Sequence, residues 1–393
     1  MIETLDIEAL RTIGLTPAML QQLSQTRSTL HVLPDSEPDS EPDSEPDATT
    51  LLRVTEVQRE SLSLHDGHHT HPGRLLPALR AALAGEDDAI AVGDWVLAHT
   101  NRFGERWVQQ RLPPLSQLAR RVHDGRQKSA RQVIVSNVDT ALLVMGLDHD
   151  FNLRRLERYL ALVRMAGVDA VVVLTKRDLC ADTDARVDAV RALLPLQPGG
   201  PAADVVAVNA LQTQADMQSD TPAVVLAPWL QPGRTLVLLG SSGAGKSTLT
   251  NALVGAAAQA VGANRDGDSR GRHTTTARSL HLATGGACII DTPGLRTLRL
   301  DGEAGALDAA YVDIAELASR CRFRDCNHEA EPGCAVRDAV PPERLRNWRK
   351  LKREVRRDTL SALQRRAQAQ QWKIRTKAFR ARTTAEGTGG GGS

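Results

Sequence analysis

One stretch constrains this chain above all others. Gly240-Ser241-Ser242-Gly243-Ala244-Gly245-Lys246-Ser247-Thr248 fits the pattern G-x-x-x-x-G-K-[ST]. Residues 235–239 before it form a short apolar run suited to a buried strand. Residues 247–254 after it have helical spacing, with Leu249 and Leu253 on one face. Glycines let such a loop wrap a phosphate chain, with successive N–H groups and a helix N-terminus facing it. Lys246 has the reach for the outer phosphates, and the Ser247 hydroxyl suits Mg²⁺. The pattern implies a nucleoside triphosphate site.

The flanking sequence asks for a parallel sheet covered on both faces, because strand and helix patterns alternate. Residues 141–145 and 170–174 read as buried strands, separated by an amphipathic helix over 151–165 with Leu153, Leu156, Leu160 and Val163 on one face. A helix over 186–194, a strand over 204–208, and strands over 279–282 and 287–290 follow the same logic.

A phosphate loop does not name the base. Thr175-Lys176-Arg177-Asp178, at the end of the second strand, resembles the guanine motif Asn-Lys-x-Asp with Thr in place of Asn. A carboxylate at Asp178 can accept the N1 and N2 protons of guanine, whereas adenine offers neither donor and would leave it unpaired. Asn209-Ala210 ends the strand over 204–208 and joins the candidate base-binding residues. Asp291-Thr292-Pro293-Gly294 also ends a strand. Its carboxylate suits Mg²⁺ through water, and the Gly294 N–H suits the γ-phosphate. Thr275, in Gly271-Arg272-His273-Thr274-Thr275-Thr276, is the expected second hydroxyl ligand of the magnesium. The guanine motif precedes the phosphate loop, so the usual order is circularly permuted, and the chain runs from the γ-phosphate contact straight into the C-terminal segment.

Cys321, Cys326, His328 and Cys334 form Cys-x4-Cys-x-His-x5-Cys, three thiolates and an imidazole suited to a closed structural Zn²⁺ site. Beyond Pro341-Pro342, residues 344–382 are helical in pattern and dense in Lys and Arg, with Leu345, Trp348, Leu351 and Val355 as the apolar stripe. One charge sign so concentrated favours RNA contact. Upstream, from Leu52 to about Arg121, short alternating runs such as Arg53-Val54-Thr55-Glu56-Val57 suggest a small β-barrel, an oligonucleotide-binding fold being one option. His65, His68, His69 and His71 are read as a solvated loop, since no recognisable ligand spacing accompanies them. Residues 1–33 have a weak helical pattern, and the Asp-Ser-Glu-Pro repeat through Asp47 has no apolar residue to bury and reads as an extended linker. No stretch is apolar enough to span a bilayer, and five cysteines, three of them crowded together, do not suggest a disulfide framework. The expected compartment is a reducing cytoplasm. Cys180 and Cys288, beside strands, are read as core residues.

Together these motifs resemble the bacterial small-ribosomal-subunit-dependent GTPase A family (RsgA, also called YjeQ), over about residues 53–363. The resemblance rests on the permuted order of 175–178, 240–248 and 291–294, on Gly271-Arg272-His273-Thr274-Thr275, on Cys321-Arg322-Phe323-Arg324-Asp325-Cys326, and on Phe151-Asn152-Leu153-Arg154-Arg155-Leu156-Glu157-Arg158-Tyr159. It implies a multidomain protein with an oligonucleotide-binding (OB-fold) barrel over 51–125 and a circularly permuted α/β P-loop GTPase domain over 130–300, and it says nothing of the N-terminal extension with its acidic linker over 1–50. A zinc-binding and basic helical domain over 301–382 completes it, and residues 383–393 are read from their composition as a flexible tail. The resemblance further implies a monomer that binds the 30S subunit and its 16S rRNA in late assembly, with subunit-stimulated GTP hydrolysis driving release of itself or of another small-subunit assembly factor. Cys321, Cys326, His328 and Cys334 stand at the family's zinc positions. Leu295 occupies the place where many GTPases put a water-orienting glutamine, so His273 is the candidate to position the attacking water. The rival readings are a GTP-gated rRNA-binding scaffold in which hydrolysis is incidental, and an ATPase motor, which Asp178 disfavours.

Overall fold

The computed structural model describes residues 5–30, 49–58, 61–123, 129–194, 203–210, 221–255, 278–292, 307–308 and 310–359. His273, Thr275, Gly294, the acidic repeat and everything beyond Thr359 lie outside the described residues.

The chain opens with two helices, α1 (Ile7–Thr12) and α2 (Pro17–Leu30). Asp6 caps the first, accepting the Ala9 N–H at 3.0 Å. Strands β1 (Thr49–Val57), β2 (Leu62–His65), β3 (Thr70–Leu75), β4 (Trp95–Thr100) and β5 (Arg106–Arg111) follow, with α3 (Pro77–Gly85) between β3 and β4. β1 pairs with both β2 and β4, and β3 runs parallel to β5, so the ring closes in the order 1-2-3-5-4. This is the small barrel expected from the sequence, closed and therefore without free edges. Leu52, Val54, Leu64, Val96, Ala98 and Val108 fill its interior.

The alternation in β1 does not put its polar residues in water. Arg53 and Thr55 are fully buried. The face bearing Arg53 packs against α1 and the central sheet: its guanidinium donates to the Ile13 carbonyl, to Thr235 Oγ1 at 2.8 Å and to the Asn137 carbonyl at 3.3 Å. A two-stranded ribbon that the sequence pattern did not announce, β6 (Gln117–His123) with β7 (Ser129–Ser136), joins barrel to sheet. Leu118, Ile134 and Val135 anchor it in the shared core.

The central layer is built from β8 (Thr140–Gly146), α4 (Leu153–Met165), β9 (Asp169–Thr175), α5 (Thr183–Arg191), β10 (Ala203–Ala207), α6 (Pro222–Val225), β11 (Thr235–Leu239), α7 (Lys246–Val254), β12 (Ser279–Leu282) and β13 (Cys288–Asp291). The strand order is β10-β9-β8-β11-β13-β12, all parallel except β12. All seven residues of β8 are buried, as a strand covered on both faces requires. Leu143 and Met145 face the core that holds Leu156, Leu160 and Val163 of α4, whereas Leu142 and Val144 face Leu249 and Leu253 of α7. A pairing of Glu56 with Ser279 makes barrel and central layer one continuous sheet.

The C-terminal module holds α8 (Val312–Ala318), α9 (Ala335–Ala339) and α10 (Pro342–Thr359). Leu345, Trp348, Leu351 and Val355 of α10 are buried in the same core as α4, the stripe expected from their spacing.

Candidate nucleotide site and metal centre

The chain order 8-9-10 runs outward on one side of β8 and 11-13 on the other. Outward crossovers leave a crevice beyond the carboxyl ends of the strands where the direction reverses, the usual place for a ligand in an open α/β sheet. Here that place lies between β8 and β11. The segment after β8, 147–152, therefore meets the segment after β11, the phosphate loop.

Gly240 leaves β11 so close to β8 that a Cβ there would sit 2.3 Å from the Val144 carbonyl oxygen, so only glycine fits. Gly245 has φ +96° and precedes α7 directly, the left-handed turn that aims the first helical N–H groups into the loop. Lys246 is buried, and its ammonium donates to the Gly240 and Ser241 carbonyls at 3.0 and 2.8 Å. Burial pulls the Lys246 amine below its ordinary value, against the opposing pull of the Asp291 and Asp150 carboxylates. Ser247, one residue into α7, is exposed at the mouth of the loop, as a magnesium ligand must be.

Two hydrogen bonds tie the end of β9 to this loop. The buried Thr175 hydroxyl donates to the Ala244 carbonyl at 2.6 Å, and Lys176 Nζ donates to the Gly243 carbonyl at 2.8 Å. Lys176 takes a left-handed backbone at φ +60° and so starts the short 3₁₀ turn Arg177–Leu179, on which Asp178 is exposed. Asn209 and Ala210 follow the end of the neighbouring strand, β10. On the other side of the loop, the Thr292 hydroxyl donates to the Leu238 carbonyl at 2.6 Å, fixing the end of β13 against β11. Burial pushes the Asp291 carboxyl up, while His281 and Lys246 oppose it.

The sequence reading missed the third partner. After β8, Asp148 accepts Lys176 Nζ at 2.7 Å, and this hydrogen bond holds its carboxyl below the usual carboxylate range. Asp150, 8% exposed, accepts the Ser241 hydroxyl at 2.5 Å. Polar residues clustered at the end of a buried strand were the available signal, Gly146-Leu147-Asp148-His149-Asp150. Without the strand order nothing linked them to residues 240–248.

In the C-terminal module, ligand atoms of Cys321, Cys326, His328 and Cys334 all lie within 4.8 Å of one another. Cys321 Sγ to Cys334 Sγ is 4.0 Å, and His328 Nδ1 stands 3.6 and 3.4 Å from those two sulfurs. A tetrahedron with metal–sulfur bonds of about 2.3 Å and a metal–nitrogen bond near 2.0 Å has edges of about 3.8 and 3.5 Å, so the donors fit a tetrahedral ion. Burial, with Lys352 and Arg349 adding to it, pulls the His328 imidazole below its ordinary value, toward the neutral form a ligand needs. Cys334 Sγ also accepts the Arg337 N–H at 3.3 Å and so caps α9. The other two cysteines differ: Cys288 is fully buried and Cys180 only partly. Of the four histidines read as a solvated loop, only His68 and His69 are in the β2–β3 loop: His65 ends β2 and is buried, and His71 belongs to β3, where it pairs with Asp66 at 2.7 Å, while His68 pairs with Asp6 at 3.0 Å. Among the described residues no metal-type cluster forms there.

With this geometry in place, comparison with known proteins is informative. The family described as RsgA GTPase matches residues 115–301. The small ribosomal subunit biogenesis GTPase RsgA of Xylella fastidiosa (strain M23) is 47% identical over 285 residues, 71% of this chain and 80% of that protein. RsgA 2 of Vibrio parahaemolyticus serotype O3:K6 is 42% identical over 289 residues, 72% of this chain and 75% of its own. The crystal structure of YjeQ from Thermotoga maritima superposes with a TM-score of 0.53 at 24% identity, covering 78% of this chain and 98% of that one. YloQ, a circularly permuted GTPase, gives 0.50 at 23% identity, covering 80% and 97%. Both structures share the fold.

Proposed function

The chain belongs to the RsgA GTPase family, and from that premise we propose that it hydrolyses GTP to GDP and phosphate in maturation of the small ribosomal subunit. The observation that carries the guanine reading is the pair of bonds from Thr175 and Lys176 to the loop carbonyls of Ala244 and Gly243. They seat the candidate base-binding turn beside the phosphate loop, as one nucleotide spanning both requires. In this reading residues 240–248 hold the phosphates, Asp178 reads the guanine edge, and Arg177, Asn209 and Ala210 border the base. Lys246 neutralises charge on the outer phosphates, Ser247 and Thr275 hold Mg²⁺, and Asp291 and Gly294 meet the metal shell and γ-phosphate. His273 positions the attacking water when the ribosomal subunit is bound. The small-subunit assignment is supported by the names of the relatives, and the rRNA reading by the barrel and by the basic face of α10.

The four-donor cluster is proposed to hold zinc. Three thiolates and one imidazole leave no position open, so the ion would organise the module and take no part in hydrolysis. No helix among the described residues is long and apolar enough to cross a membrane. Hydrolysis of GTP and ATP, each with and without purified 30S subunits, tests the proposal. Strong stimulation confined to GTP is the expected result. Tight GTP binding with no stimulated turnover would leave a GTP-gated binding protein instead. His273→Ala should lose subunit-stimulated turnover while keeping subunit binding, and full turnover in that variant would remove the water-positioning role.

A further inference from the structure

We propose that Asp150 is a positioning residue of the phosphate loop: it holds Ser241, and through the Ser241 carbonyl Lys246, in place before nucleotide arrives. The proposal rests on reading residues 240–248 as the phosphate site, and it goes beyond the sequence motifs, none of which includes Asp150.

The contacts of this carboxylate brace its own segment and, through Ser241, reach out of it to the phosphate loop. Oδ1 accepts the Ser241 hydroxyl and an Arg155 guanidinium N–H, each at 2.5 Å, and Oδ2 accepts the Gly146 N–H at 3.2 Å. Arg155 donates as well to the Asp150 carbonyl. A buried carboxylate is tolerated only when its oxygens are met by donors and its charge by a cation, and both conditions hold here. Ser241 then passes the constraint on, since its carbonyl accepts the Lys246 ammonium at 2.8 Å. Two hydrogen bonds therefore lead from Asp150 to the side chain that meets the outer phosphates. Asp150 is also one of the two carboxylates whose charge favours the Lys246 ammonium against burial.

A purely structural role at the start of α4 does not account for these contacts. That helix already has its cap, because Asn152 accepts the Arg155 N–H at 3.0 Å. The segment before it is closed by Asp148, whose carboxylate accepts the Asp150 N–H at 3.0 Å and whose carbonyl accepts the Phe151 N–H at 3.1 Å. The Asp150 side chain takes part in neither of these bonds; its Gly146 and Arg155 contacts brace the same turn, and the Ser241 bond is the one that a role within this segment leaves unexplained. Its role is matched on the other side of the crevice by Asp148, which holds Lys176, itself bonded to the Gly243 carbonyl. Two carboxylates two residues apart thus brace the two halves of one loop.

The test is a double-mutant cycle in the full-length protein, read as affinity for fluorescent mant-GTP. Asp150→Ala and Ser241→Ala should each weaken binding about tenfold, the loss of one charge-assisted hydrogen bond. The double variant should be no worse than either single one, because both remove the same link. The preference for GTP over ITP, set at the base, should stay as in the wild type. Losses that multiply in the double variant, wild-type affinity in Asp150→Ala, or a preference that collapses with affinity would each overturn the proposal. Should Asp150→Ala fail to fold, the isosteric Asp150→Asn carries the same cycle, with a smaller loss expected. A wild-type protein that binds no mant-GTP would instead overturn the phosphate-loop reading, and the proposal with it.

Discussion

The central sheet is joined to its two neighbours in opposite ways. Toward the barrel, the junction is an apolar core with one fully buried cation in it. Arg53 lies 5.5 Å from the Trp95 ring centroid and donates to carbonyl and hydroxyl oxygens and to Cys288 Sγ at 3.7 Å, with no carboxylate in hydrogen-bond contact. Toward the C-terminal module, α10 buries a comparable apolar stripe but is edged by paired charges. Arg344 meets Asp313 at 2.6 Å and Glu157 at 3.4 Å, Asn347 donates to Glu157 at 2.6 Å, Arg158 pairs with Glu354, and Arg154 pairs with Glu343 at 2.6 Å. A buried cation bound by fixed acceptors has one geometry. A seam of half-exposed pairs can exchange partners with water or with a polyanion at little cost. The barrel junction is built to stay as it is, whereas the α4–α10 junction is built to be adjustable, beside the element proposed to meet RNA.

The largest effect that separates the two is metal removal. The module carrying α8 to α10 buries its apolar residues in the core it shares with α4, and Cys334 both joins the four-donor cluster and caps α9. Chelation, or Cys334→Ser, should therefore unlock amide exchange throughout α9 and α10 while β1 and β8 stay protected. Exchange followed by mass spectrometry reads both regions at once. Protection of α10 that survived chelation would mean that its apolar stripe alone holds it, and the two junctions would then be more alike than their charges suggest.

Next in size is Arg53. Its truncation strands the Ile13 and Asn137 carbonyls and Thr235 Oγ1 in a dry site, so Arg53→Ala should cost about 3–5 kcal/mol of unfolding free energy. Arg53→Met keeps volume and discards the buried charge, so it should cost clearly less in the same denaturant titration. Equal losses would show that packing, and not satisfaction of the acceptors, is what Arg53 supplies.

Arg53 also marks where the sequence ceases to be readable. The phosphate-loop pattern, the turn over 175–178, the buried strands and the four-donor cluster were legible because each is encoded by neighbours: a glycine spacing, an apolar run, four donors within fourteen residues. Nothing beside Arg53 in the alternating run marks it as buried, because what covers it, Ile13 and Thr235, stands 40 and 182 residues away. The same holds for Asp150, whose partner Ser241 is 91 residues on. The β6–β7 ribbon is rich in Arg, Gln and Ser, and only its packing on the barrel and the sheet makes it a ribbon. Local chemistry was visible in the sequence. Contacts created by strand order were not.

The barrel side should show a further difference in its response to pH. Burial pushes the Asp94 carboxyl up to about 6, with Arg111 and the Ala91 N–H opposing. Because the folded value lies above the unfolded one, the folded state holds this proton more tightly, and stability is lost as pH rises from about 4 to about 6. Asp94→Asn should flatten that window, removing a loss of about 3 kcal/mol. Glu157, on the α10 side, is also raised by burial, with Asn347 and Arg344 opposing. Its contribution has the same sign, and thermal melts of Asp94→Asn and Glu157→Gln across this range separate the two sides.

The smallest effects lie within the seam and test whether it is adjustable. Arg344 is 21% exposed and serves two carboxylates, one of them the buried Glu157, so Arg344→Ala should cost about 1 kcal/mol and lose part of that difference in high salt. Arg154 and Glu343 are 61% and 64% exposed, and their 2.6 Å pair is one that water replaces readily. Arg154→Ala should leave the melting temperature unchanged. If instead both variants cost as much as Arg53→Ala, the seam would be as rigid as the barrel junction, and any nucleotide-driven movement of α10 would have to come from elsewhere. If Arg344→Ala alone registers, Glu157 is the seam's one fixed point. The pairs around it would then be free to yield to a competing phosphate backbone, a difference that the salt dependence of the two melts would report directly.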